Sequence, residues 1–303
     1  MSERPALLVI AGPTASGKTA LAIEVAQQLG AEIVSADSQQ VYRGFDIGTA
    51  KPTAADRALV PHHLLDVADP TETFSAARFQ ALADEAIAQI AARGKRVVVA
   101  GGTGLYLRIL LHGVVPAPPA APELRRSLEA EAERIGRQAL HARLAAIDPE
   151  TAAKVQPTDL VRIVRALEIY ELTGTTASEF RREHRFAEDR YRFDLVVLDP
   201  PREELYRRID ARTEAMFRGG LLDEVRRHLS AGLRDAAPMK SVGYLQALQH
   251  LDGTLTFEEA IARAARETRR YAKRQLTWFR REPGARFLQP PYWASELAAL
   301  SGR

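Results

Sequence analysis

The chain opens on four consecutive apolar positions, Leu7, Leu8, Val9 and Ile10, and the run breaks at Gly12. After a short glycine-containing stretch the period changes: Leu21, Val25 and Leu29 recur at helical spacing over residues 20–29, and Gly30 stops them. Short apolar runs return at 31–35, 62–66, 96–100 and 193–198, each of a length that fits a strand buried on both faces. Residues 74–92 carry Phe79, Leu82, Ala86 and Ile90 on one side, which predicts a helix capped by Ser75 or Thr73 and closed at Gly94. Strand and helix in alternation predict an α/β fold, a parallel sheet with crossover helices.

The pattern shifts at the proline-rich stretch 114–122, VVPAPPAAP, which reads as a hinge. Beyond it, 123–147 predicts one long helix with Leu124, Leu128, Ile135, Leu140 and Leu144 inward. A second helix is expected over 157–172, ended by Gly174, and a third, arginine-rich one over 175–186. No strand pattern occurs between 116 and 190. The expected organisation is therefore an α/β core formed by 1–115 and 191–303 with an all-helical insertion at 116–190. Later helices are predicted over 203–217 and 221–231, broken at Gly219-Gly220 with Arg218 at the break, and another helical region opens near Pro238.

The break after the first strand carries chemistry. Gly12, Pro13, Thr14, Ala15, Ser16, Gly17, Lys18 and Thr19 satisfy G-x-x-x-x-G-K-[ST] between a strand and a helix, the context of a phosphate-cradling loop. Glycines at both ends let successive N–H groups converge on phosphate oxygens, and the helix N-terminus adds its partial positive charge. Lys18 contributes a point charge and the Thr19 hydroxyl a ligand for Mg²⁺. The sheet is thus expected to be P-loop NTPase-like. Ligands in such sheets sit at the C-terminal strand edge, where Asp37, the glycine-rich turn Gly101-Gly102-Thr103-Gly104 and Asp199 also fall. Position alone leaves two readings for each: Asp37 either faces the loop or caps a turn, and the 101–104 glycines admit either a ligand or a tight turn. Asp199 rivals Asp37 for a metal. At the helix break, Arg218 is placed to reach phosphate on a mobile lid.

Composition narrows the partners. The 303 residues are 46% hydrophobic with a formal charge of only +3, so the distribution of charge matters more than its sum. Eight bases face the single acid Glu267 over 263–281, interleaved with Tyr271, Trp278 and Phe279, the most nucleic-acid-like stretch in the chain. A second basic group, Arg181, Arg182, Arg185, Arg190 and Arg192, is partly offset by Glu183, Glu188 and Asp189. With no cysteine, disulfides, thiolate zinc sites and cysteine nucleophiles are excluded. Adjacent His62 and His63 point opposite ways on a strand and do not share a metal. Lacking a signal-peptide pattern or an apolar run of membrane-spanning length, the protein is expected to be cytoplasmic, with no membrane partner.

Several separate stretches together resemble the tRNA dimethylallyltransferase (tRNA isopentenyltransferase) family: GPTASGKT, ADSQQVY at 36–42, DIGTAKPT at 46–53, PHHLLD at 61–66, GGTGLY at 101–106, SVGY at 241–244 and RRYAKRQLTWFRR at 269–281. The resemblance implies transfer of the dimethylallyl group from dimethylallyl diphosphate to the exocyclic N6 amine of the adenosine 3′-adjacent to the anticodon, with release of diphosphate. It implies that the loop, residues 12–19, holds the diphosphate with Mg²⁺, that Asp37 is the general base, and that Thr103 and Arg218 join Lys18 and Thr19 around the leaving group. The tRNA anticodon stem-loop is the implied partner of a monomer. Its implied contacts are Asp37, Ser38, Gln39 and Gln40, with Gln39 or Gln40 reading the base edge. Further implied contacts are Thr103, Arg125, Val161, Arg162, Ile163, Val164, Arg165, Lys240, Ser241, Val242, Gly243, Tyr244 and Leu245. The zinc-binding extension of some eukaryotic relatives has no counterpart in this cysteine-free sequence. Two other classes predict different behaviour: a small-metabolite kinase would turn over ATP without RNA, and an RNA-binding module would bind without turnover.

Overall fold

A computed structural model describes residues 5–114, 117–184 and 189–300. Val115 and Pro116 of the expected hinge, and Arg185, Phe186 and Glu188 of the basic segment, lie outside the described residues. The chain divides into two compact units, Met1–Leu111 with Arg190–Arg303, and His112–Asp189.

The first unit is built on a parallel sheet of β1 (Ala6–Ala11), β2 (Glu32–Ser35), β3 (His62–His63), β4 (Val97–Gly101), β5 (Arg192–Leu198) and β6 (Arg286–Leu288), in the order β3-β2-β4-β1-β5-β6. Because side chains alternate along a strand, Leu7, Val9 and Ala11 of β1 enter one core while Leu8 and Ile10 enter the other. Helices cover both faces, which is why these strands read as unbroken apolar runs rather than as alternation. On the second face lie α1 (Lys18–Leu29) and, much later in sequence, α14 (Ala294–Leu300), whose Ala294 and Leu297 are buried beside Leu21 and Val25.

Of the crossover elements, α2 (Ala54–Leu59) carries a capping box between Thr53 and Asp56, and α3 (Ala76–Ala92) is capped by Ser75, whose side chain accepts from the Arg78 N–H. The run at 62–66 forms only the two-residue β3, because Leu64 (φ 65°) and Asp66 (φ 59°) adopt left-handed backbone and turn the chain out of the sheet. After β4 comes α4 (Gly104–His112).

In the second unit the expected single helix over 123–147 is two, α5 (Pro122–Ile135) and α6 (Arg137–Ile147), since Gly136 sits at φ 88° and ψ 148°, outside the helical region. They pack with α7 (Pro149–Ala152), α8 (Leu160–Thr173) and α9 (Ala177–His184) around Leu128, Leu140, Leu144, Ile163 and Leu167, while Ile135 stays exposed beside the break. The described residues of this unit contain no strand.

Back in the first unit, α10 (Arg202–Met216) runs through a π-helical turn, Phe217–Leu221, into α11 (Leu222–Ser230); Gly219 and Gly220 break the helical geometry there. A 3-10 turn, Ala237–Lys240, leads to α12 (Tyr244–Leu251), and the basic stretch up to Phe279 lies within α13 (Phe257–Phe279), which starts at a capping box of Thr256 and Glu259, with Arg280 and Arg281 just past its end.

Candidate active site

The phosphate loop leaves β1 at Gly12, where φ is +148° and an added Cβ would lie 2.9 Å from the Leu198 carbonyl oxygen on the neighbouring strand, so only glycine fits. Gly17 is left-handed at the start of α1 and brings no side chain to cap the helix, leaving its first N–H groups available to an anion. Lys18 folds back to donate to the Pro13 carbonyl at 2.7 Å. Burial pushes its ammonium down to about 8, with Asp37 opposing that shift and Arg212 adding to it. The fully buried Ser16 hydroxyl has no hydrogen-bond partner among the described residues.

This loop walls a cavity of about 430 Å³ that also meets Asp37, Gln40, Arg208, Arg212 and Tyr271. A second cavity of about 310 Å³ is lined by Ser38, Gln39, Gly48, Met216, Phe217, the 240–243 segment and Ala264. Thr14, Asp37, Thr49, Arg212 and Tyr271 line both. A group held in one cavity and a group held in the other therefore meet across a carboxylate and a guanidinium.

Both readings of Asp37 hold together. Its Oδ1 accepts from the Gln39 N–H at 2.8 Å and the Gln40 N–H at 3.3 Å, capping the turn, and the residue lines both cavities. Thr103 supports the same turn: its hydroxyl oxygen accepts from the Ser38 N–H at 3.0 Å. The glycines around Thr103 also admit a close approach of protein, although Gly101 and Gly102 line the phosphate-loop cavity. A Cβ at Gly101 would run into Ala36, at Gly102 into Gln275, and at Gly104 into Trp278. Gln275, buried on α13, accepts from the Thr14 N–H at 2.9 Å and donates to the Gly102 carbonyl at 2.8 Å, so one amide clamps the two glycine-rich turns together.

The arginine that lines both cavities is Arg212, whereas the expected Arg218 lines neither. Arg218 is 57% exposed in its side chain, paired with Glu214 at 2.9 Å and near Glu258 at 3.8 Å, and lines neither cavity. Six residues earlier on α10, Arg212 donates to the Thr14 hydroxyl; burial lowers its pKa while the Asp37 carboxylate opposes the shift. Arg208, four residues before it, lies on the same helical face and lines the phosphate-loop cavity. That i,i+4 pair is a signal the sequence carries. Asp199 is set apart: it lines a separate cavity and lies 3.8 Å from Arg280.

The remaining expected contacts divide by exposure. Gln40 is an internal strut, its amide donating to the Thr49 and Ala50 carbonyls at 3.2 Å, whereas the Gln39 amide oxygen is buried without a partner among the described residues. Lys240, Ser241, Val242 and Gly243 line the second cavity; Tyr244 is fully buried behind them and Leu245 lies off the wall. In the helical unit Val161 is 80% exposed and Arg162 points out beside it, while Ile163 and Val164 face the core. Arg125 and Arg165 converge on the fully buried Glu168, at 2.8 Å and 2.5 Å, so each has a structural partner already.

No group of three or more His, Cys, Asp or Glu side chains among the described residues could hold a metal by itself. The oxygens near the loop, the Thr19 hydroxyl and the Asp37 carboxylate, are hard donors of the kind Mg²⁺ takes together with substrate phosphates and water. Among the described residues no helix is long and apolar enough to cross a membrane.

Fold and site together define a phosphate-loop α/β protein with two cavities that share lining residues at the loop. Residues 40–282 match the sequence profile described as IPP transferase. A tRNA dimethylallyltransferase of Myxococcus xanthus is 63% identical over 294 residues, covering 97% of this chain and 96% of that protein. Among solved structures, a full-length tRNA isopentenylpyrophosphate transferase from Bacillus halodurans is 40% identical with a TM-score of 0.72, covering 99% of this chain and 95% of that one. A eukaryotic dimethylallyltransferase acting on tRNA is 29% identical with a TM-score of 0.79, over 94% of this chain and 74% of that one. The chain belongs to the IPP transferase family.

Proposed function

We propose that this enzyme transfers the dimethylallyl group of dimethylallyl diphosphate to the N6 amine of the adenosine 3′-adjacent to the anticodon in tRNA, releasing diphosphate. The observation that carries the reading is the shared wall of Thr14, Asp37, Arg212 and Tyr271 between the phosphate-loop cavity and the second cavity. The diphosphate binds against residues 12–19, and the adenine, turned out of the anticodon loop, enters beside Gln39 and residues 240–243.

In the reaction the allylic C1–O bond breaks, C1 bonds to N6, and one N6 proton leaves to the Asp37 carboxylate. Charge collects on the bridging oxygen as C1–O opens, and Lys18, Arg212 and the α1 N-terminus hold it in a buried setting where such contacts are strong. Mg²⁺, when bound by the Thr19 hydroxyl and the diphosphate, supplies charge neutralisation of the leaving group. Thr103 keeps the Asp37–Ser38 turn in place. The partnerless Gln39 amide oxygen suits the adenine edge better than Gln40, whose amide is occupied. The exposed Val161 and Arg162, together with half-exposed Arg125, present the helical unit's contacts to tRNA. In this reading the enzyme works as a cytoplasmic monomer.

The test is direct: purified protein with labelled dimethylallyl diphosphate labels an unmodified tRNA bearing adenosine after the anticodon, and does not label the same tRNA with guanosine there. No transfer to competent tRNA, together with steady ATP hydrolysis, would favour a kinase instead.

A further inference from the structure

We infer that Glu224, which lines neither cavity, is a positioning residue that fixes the wall of the acceptor cavity by tying the 46–48 loop to the start of α12; this rests on the reading of the second cavity as the acceptor's. Glu224 lies on α11 and is 1% exposed. Its carboxylate accepts from the Asp46 N–H at 3.2 Å, from the Ile47 N–H at 3.0 Å, and from the Tyr244 hydroxyl. The same Tyr244 oxygen accepts from the Gly48 N–H at 3.2 Å. One carboxylate and one phenol thus hold three successive N–H groups of a loop and the first residue of α12.

Both tied segments form the cavity. Gly48 and Thr49 line it from the loop, and Lys240 to Gly243 line it from the residues leading into α12. The contact between them has no slack, since a Cβ on Gly48 would overlap the Tyr244 ring. Phe45 backs the arrangement, stacked on His228 at 3.9 Å and tilted against Tyr244 at 5.0 Å. A buried carboxylate is costly unless its oxygens are satisfied, as they are here. What it adds over an apolar filler is direction: its acceptors are met only when loop and helix stand in one relation. Burial and the adjacent carboxylate both raise the Tyr244 pKa, so the phenol stays protonated and remains a donor.

Two variants test this. Glu224→Gln keeps the shape and removes the charge and one acceptor; Tyr244→Phe removes a single oxygen. For each, the KM for tRNA, the single-turnover rate and the Kd for dimethylallyl diphosphate are measured beside wild type. The expected result is a split: the tRNA KM rises by about tenfold or more, the diphosphate Kd stays within about twofold, and the double variant is no worse than Glu224→Gln, as groups in one network behave. An unmoved tRNA KM, or tRNA and diphosphate affinities falling together, would overturn the positioning role. If Glu224→Gln does not fold, Tyr244→Phe carries the same comparison. Wild type separates the two claims. Failure of wild type to prenylate tRNA overturns the functional reading and this inference with it, whereas transfer by wild type with no split in the variants overturns the positioning role alone.

Discussion

The two cavities differ in what they are built around. The phosphate side draws residues from many segments but is centred on one contiguous stretch, residues 14–19, held by backbone geometry: a strand end, a glycine at position 12 that cannot carry a Cβ, and a helix N-terminus. The acceptor side has no such centre and is assembled from distant places: Thr14, the 37–39 turn, the 48–49 loop, the end of α10 with the π-helical turn after it, the 240–243 segment and α13. A contiguous cradle depends on its own local conformation. An assembled wall depends on the side chains that hold its parts in register, and those side chains do not have to touch the substrate.

The largest expected effect falls where the two sides meet. Asp37→Asn keeps an oxygen to cap the Gln39 and Gln40 N–H groups but cannot take a proton, so the single-turnover rate should fall ~10²–10⁴-fold with tRNA affinity nearly unchanged. A near-normal rate would move the base elsewhere and separate the two cavities chemically.

Next comes the clamp between the phosphate loop and the 101–104 turn. Gln275→Ala leaves the Thr14 N–H and the Gly102 carbonyl without their partner. Urea unfolding should show a loss on the order of 1–3 kcal/mol, and dimethylallyl diphosphate should bind more weakly while tRNA binding holds.

The smallest effect is a pH dependence confined to the phosphate side. In the free protein Lys18 loses its proton near about pH 8 rather than at its ordinary value of 10.5, and a bound diphosphate favours the charged form. Below that pH the affinity for dimethylallyl diphosphate is flat; above it the affinity falls by up to ~10-fold per unit, because binding then requires proton uptake. The sign for folding is opposite: between about 8 and 10.5 the unfolded chain binds more protons, so this group's contribution to stability rises with pH. Calorimetric titration from pH 7 to 9.5 reads the binding term, and Lys18→Met should abolish the slope.

The contrast also explains what the sequence disclosed. The phosphate loop was legible because its chemistry is set by residue type at fixed spacing, and the strands because burial on both faces leaves unbroken apolar runs. Leu64 and Asp66 shortened the third strand by adopting left-handed backbone, which no apolar pattern encodes for such residues. Gly136 split a helix that the hydrophobic period alone carries through. The last strand and last helix were missed because Arg286, Phe287 and Leu288 sit at a sheet edge and the Ala294–Leu300 helix buries only a narrow stripe. Arg218 stood at a visible helix break, whereas Arg212 sits mid-helix among other arginines; only the fold says which of them faces Thr14. Gln275 and Glu224 gave no sequence signal, since each acts by joining segments that are distant in the chain.

The most direct test of the account is a side-by-side measurement on Arg212→Ala and Arg218→Ala, reading dimethylallyl diphosphate affinity and the single-turnover rate of transfer to tRNA. The account predicts that Arg212→Ala weakens the affinity and lowers the rate by on the order of 10²-fold, the scale for losing one charge-stabilising contact to a leaving group, while Arg218→Ala leaves both within about twofold. The reverse pattern, with Arg218 essential and Arg212 dispensable, would contradict the claim that the wall shared by the two cavities is where the chemistry happens.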